Sequence, residues 1–75
     1  MNQIITKDNL SLIISTKLTQ RLNELGMSQR ELADLSGISE VSISRYVNMT
    51  RMPNAYSMIN MANALNCTID YLIGR

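Results

Sequence analysis

The chain has no histidine and a single cysteine, Cys67, among its 75 residues. The commonest general base and the commonest zinc ligand are therefore missing. One cysteine can form neither an internal disulfide nor a cysteine-based metal cluster. The carboxylates are scattered over amphipathic segments, and no acid–base pair or nucleophile–base arrangement stands out. An enzyme is not expected, nor a cofactor. Long hydrophobic runs are also lacking, since none approaches the ~18 residues of a membrane span. The opening "MNQIITKDNL" has neither the basic region nor the long apolar core of a signal peptide. The expectation is a soluble cytoplasmic protein with no membrane partner and no small-molecule substrate. An excess of charge of one sign is missing too: seven Lys and Arg face six Asp and Glu, for a formal net charge of +1. A polyanionic partner would have to be met by local placement of cations rather than by a broad basic field.

What is there is helical periodicity. An apolar fraction of 45% with 17% charged residues suits one small globular domain, for which tight helix packing or dimerisation would add needed stability. The pattern predicts an all-α domain of five helices over residues 10–75, behind an N-terminal arm at residues 1–9. Asp8 or Asn9 is placed to cap the first helix, whose stripe is Leu10, Ile14, Leu18, Leu22 and Leu25, with Gly26 beyond its end. "SQRE" (Ser28–Glu31) has the form of a capping box and opens a second helix with Leu32 and Leu35 inward. Gly37 supplies the positive φ of a sharp turn, and Ser39 caps a third helix running to about Asn48. Pro53 blocks continuation and Asn54 caps the fourth helix, with Met58, Ile59, Met61, Ala62 and Leu65 facing inward. Asn66 ends it in the left-handed conformation. Thr68 caps a short last helix carrying Ile69, Leu72 and Ile73. The methionines at 49, 52, 58 and 61 are read as gap fillers in the core, and Cys67 as a small core residue.

The third helix is unusual. "SGISEVSISRYVN" (Ser36–Asn48) uses four serines, poor helix formers, in a segment whose Ile43, Tyr46 and Val47 are spaced for one buried face. Two short helices joined by a glycine turn form a helix-turn-helix, whose second helix can enter a DNA major groove. Small polar side chains let a helix approach bases and phosphates closely, which accounts for the serines.

Here the sequence resembles the Cro/cI-type, lambda repressor-like family of helix-turn-helix transcriptional regulators. "GMSQRELADLSGISEVSISRYVN" looks like that family's core and "RMPNAYSMINMANALNCTIDYLIG" like its usual continuation; together they span roughly two-thirds of the chain. The resemblance implies a compact five-helix domain that binds operator DNA as a homodimer. It places Gln29 on a phosphate, bracing the reading helix, and faces Arg51 toward the backbone. From helix geometry, Glu40, Val41, Ser42 and Arg45 are the expected base contacts. Glu40 could accept from cytosine N4, or merely favour the helix dipole. Val41 could meet a thymine methyl, and Arg45 could take guanine in bidentate fashion, contact a phosphate, or pair with Glu31 or Glu40. Ser39, Ser44 and Asn48, with Gln29 and Arg51, are the expected backbone contacts. Tyr46 should bury its ring and let its hydroxyl reach the surface. Lys17 and Arg21 would add distant phosphate contacts or be solvated, and Leu12, off its helix stripe, would be a dimer or partner contact. The competing reading is a protein-interaction module of the same fold without DNA binding, antitoxin-like or antirepressor-binding, which the near-neutral charge and Leu12 favour.

Overall fold

The computed structural model describes residues 4–75. Five helices follow in order: α1 (Lys7–Leu25), α2 (Gln29–Ser36), α3 (Glu40–Val47), α4 (Ala55–Ala64) and α5 (Ile69–Leu72). No strand occurs among the described residues, so the domain is all-α, with the five helices expected. Among these residues no helix is long and apolar enough to cross a membrane.

Each helix opens on a side-chain oxygen that accepts a backbone N–H three residues on, satisfying one of the free donors of a first turn. The Ser28–Glu31 capping box closes in both directions, at 3.0 and 3.2 Å. The cap of α1 is Thr6, not Asp8 or Asn9: its Oγ1 accepts from the Asn9 N–H at 3.1 Å. Thr6 is extended (φ −81°, ψ 158°), as a cap must be. Residues 7–9 of the expected arm thus form the first turn of α1, and residues 1–3 of it lie outside the described residues.

The core is built from Ile14, Leu18 and Leu22 of α1, Leu32 of α2, Ile43 and Tyr46 of α3, Met58, Met61 and Ala62 of α4, with Ile38, Leu65 and Leu72. Several apolar residues expected inside are not there. Leu35 is 64% exposed, because α2 turns Leu32 and Ser36 inward instead. The Ser36 hydroxyl accepts from the Ile38 N–H at 3.2 Å, which satisfies a buried polar group and tightens the turn. Ile59 and Leu25 are likewise exposed on the flanks of their helices. In the four-residue α5 only Leu72 is buried; Ile73 is half-buried and Ile69 exposed, since so short a helix presents little inward surface. Met49 is exposed rather than a gap filler. α1 packs on α3 and α5, α2 on α3 and α4, and α4 on α5, which clamps α3 from behind.

Candidate nucleic-acid interface

α3 is a short helix fixed from within and open without. Ile43 is fully buried and Tyr46 5% exposed, so the helix is seated by one apolar face. The Tyr46 hydroxyl does not reach the surface: it donates to the buried Ser57 Oγ at 3.2 Å and ties α3 to α4. This corrects the expectation for Tyr46. A phenol in a core takes a partner wherever one lies within reach, and Ser57 supplies it. At the other end of α2, the left-handed Gly37 (φ 74°) redirects the chain so that α3 crosses α2.

On the outward flank, Glu40, Val41, Ser44, Arg45 and Asn48 follow helical spacing. A shallow concavity is lined by Glu40, Val41, Ser44 and Arg45 of α3 together with Gln29 at the start of α2. Two residues expected at the backbone, Gln29 and Ser44, are thereby brought beside three expected at bases, Glu40, Val41 and Arg45. Val41 is 61% exposed. The Arg45 guanidinium forms no ion pair or side-chain hydrogen bond among the described residues, so neither Glu31 nor Glu40 has captured it.

The serines divide by position. The Ser39 hydroxyl accepts from the Ser42 N–H at 3.1 Å and donates to Ser42 Oγ at 2.9 Å, so its one proton is used inside the helix. Ser42 is half-buried and lies outside the concavity, whereas Ser44 lines it. Asn48 Nδ2 donates to Ser44 Oγ at 3.5 Å, and Arg51 is exposed in the following loop.

Two cations on α1 have internal work. Arg21 Nε donates to the Leu65 carbonyl at 2.9 Å, its Nη2 to the Asn66 carbonyl at 3.2 Å, and its Nη1 pairs with Glu24 at 3.3 Å. Lys17 Nζ stands 5.1 Å from the centroid of the Tyr71 ring. Arg21 is a clamp on the end of α4 rather than a solvated or phosphate-seeking charge. The sequence carried no local sign of this, because its partners lie 44 and 45 positions away.

Known proteins share this arrangement. A family model described as helix-turn-helix matches residues 18–72. The chain is 28% identical over 61 residues to repressor protein C2 of Salmonella phage P22, covering 81% of this chain and 28% of that protein. It is 31% identical over 62 residues to the cryptic phage CTXphi transcriptional repressor RstR of Vibrio cholerae, covering 83% of this chain and 55% of the relative. The chain therefore spans from about a quarter to about half the length of these two relatives. Its fold is similar to a crystal structure of the P22 c2 repressor in complex with the synthetic operator 9T in the presence of Tl+, with a TM-score of 0.74 and 28% identity over 80% of this chain and 91% of that one. With the matched model extending from the middle of α1 to the end of α5 around an open α3 flank, the chain belongs to the helix-turn-helix family of the XRE, or Cro/cI, type.

Proposed function

We propose that this chain is a sequence-specific DNA-binding transcriptional regulator of the phage-repressor kind. It seats α3 in the major groove of a partly palindromic operator. Two copies bind, with their reading helices about 34 Å apart in successive grooves. The observation that carries this reading is the exposed Val41: a β-branched apolar residue, 61% exposed, on the flank it shares with Arg45. Such a residue adds little to a helix surface, and it suits a thymine methyl. Arg45, whose guanidinium has no partner among the described residues, is assigned to guanine O6 and N7, and Glu40 to cytosine N4. Ser42, half-buried beside the concavity's residues on α3, accepts from Ser39 and so keeps its own hydroxyl proton for a base acceptor. Gln29, Ser44, Asn48 and Arg51 are assigned to phosphates; for Ser39, already engaged as a cap, the backbone N–H at the head of α3 is the group to offer. That the structural neighbour is a repressor–operator complex supports the reading.

The test is selection of bound sites from a random DNA pool, followed by titration of Arg45→Ala and Arg51→Ala. Arg45→Ala should relax preference at one base pair in each half-site, and Arg51→Ala should weaken binding about equally on all sequences. Uniform losses from both would refute the assigned roles. The salt slope should be modest, because few cations face the groove. The interaction-module reading draws on the exposed Leu12 and Leu35; absence of binding to random duplex at low salt and micromolar protein would select it instead.

A further inference from the structure

We propose that Ser15, on α1 and not among the residues lining the concavity, is a positioning residue that sets the seat of α3 for sequence reading. The last turn of a helix leaves carbonyls without helical partners. In α3, Ser44 O accepts from the Asn48 N–H at 2.9 Å, and Tyr46 O accepts from the Met49 N–H at 3.2 Å. Arg45 O accepts from the Thr50 N–H at 2.9 Å and from the Thr50 hydroxyl at 3.3 Å. All of these partners are local. The Val47 carbonyl is different: its partner is the Ser15 hydroxyl, donated from 32 positions earlier in the chain. The left-handed Met49 (φ 63°) turns the chain so that the N–H groups of Met49 and Thr50 go to Tyr46 and Arg45. One helical turn earlier on α1, the Ser11 hydroxyl donates to Met52 Sδ at 4.0 Å. Two hydroxyls at i and i+4 thus hold the end of α3 and the loop behind it.

Apolar burial at Ile43 and Tyr46 keeps α3 against the core, but it is non-directional and tolerates small slides and tilts. A hydrogen bond weakens steeply with misalignment, so the Ser15–Val47 contact fixes what the apolar face leaves free. Arg45 lies two residues before Val47, in the same turn. A tilt at this end moves its guanidinium relative to a base edge, where bidentate geometry is demanding. A phosphate contact made by a long flexible side chain absorbs the same tilt.

The proposal rests on the operator reading, and its test separates the two. Ser15→Ala and Ser15→Thr are compared with the natural chain on a duplex selected from the random pool and on a random duplex of equal length. Ser15→Ala should weaken the selected duplex by about 5- to 10-fold and the random one by less than about 2-fold. Ser15→Thr keeps the hydroxyl and should keep the selectivity. Equal losses on both duplexes, or loss of selectivity in the threonine variant, overturn the proposal. Amide hydrogen exchange of the free protein gives a reading without DNA: Ser15→Ala should speed exchange at Asn48, Met49 and Thr50 while leaving α2 unchanged. Uniform acceleration across α2 and α3 would mean general loosening, and sinks the idea. If the natural chain binds no duplex at all, the operator reading fails, and exchange alone decides whether Ser15 holds α3.

Discussion

The α1–α5 pole and the outer flank of α3 use the same chemical group in opposite ways. At the pole, Arg21 meets two backbone carbonyls and Glu24, and Lys17 lies over the Tyr71 ring. Along α3, Arg45 has no such partner among the described residues, and Val41 beside it is left uncovered. At the pole both cations are met from within, although the buried Tyr71 hydroxyl has no hydrogen-bond partner among the described residues; the flank of α3 is left open. In a molecule with a formal net charge of +1, the sign of the whole surface says little, and the partnering of each cation says much more.

Exchanging the two arginines for alanine breaks the comparison most directly. Arg45→Ala is expected to remove about 1–3 kcal/mol of base discrimination, up to roughly 100-fold, at the cognate position. Its unfolding free energy should stay within about 0.5 kcal/mol, measured by denaturant titration. Arg21→Ala should do the reverse. Losing charged hydrogen bonds to the Leu65 and Asn66 carbonyls is expected to cost about 1–2 kcal/mol and to lower the melting temperature by roughly 5–10 °C, with the selected-to-random binding ratio unchanged. A selectivity loss in Arg21→Ala, measured on folded protein, would erase the distinction.

A third change sharpens the comparison from the α3 side. Met49 is a non-glycine residue at φ 63°, where a Cβ is strained. Met49→Gly should stabilise the chain by about 0.5–1 kcal/mol, seen as a higher denaturant midpoint with the slope unchanged. The smallest effect belongs to the pole. Burial raises the Cys67 thiol above its ordinary 9.0, with Arg21 opposing. Burial and then Glu24 raise the Tyr71 phenol above 10.0, again against Arg21. Both acids prefer to be neutral in the folded chain, so the stability they contribute is full below these ordinary values. It is lost as pH rises past them toward the folded values, where the unfolded chain ionises first. Thermal unfolding from about pH 8 to about pH 10.5 should show this decline. Cys67→Ser should make the decline shallower.

Much of the framework was legible locally. The Ser28–Glu31 box, the Ser39, Asn54 and Thr68 caps, and the left-handed Gly26, Gly37 and Asn66 all depend on groups within a few residues. Thr6 fits the same logic, standing three residues before Asn9 as Ser28 stands before Glu31. Periodicity found the stripe of α1 and the buried face of α3. It misassigned Leu25, Leu35, Ile59 and Ile69, because spacing tells that a residue borders an apolar face and not how far a neighbouring helix extends to cover it. The concavity that joins Gln29 to α3 required the crossing of α2 and α3, although helical spacing had already grouped Val41 with Arg45.

By itself, then, the sequence determined the helices, their ends and the outward flank of α3, since capping, turn geometry and helical periodicity act over a handful of residues. Only the tertiary structure decided that Arg21 clamps α4, that Tyr46 bonds Ser57, and that Ser15 takes the last carbonyl of α3. Those pairings join residues from 11 to 45 positions apart, and a hydrogen bond is chosen by proximity in space, which chain order does not reveal.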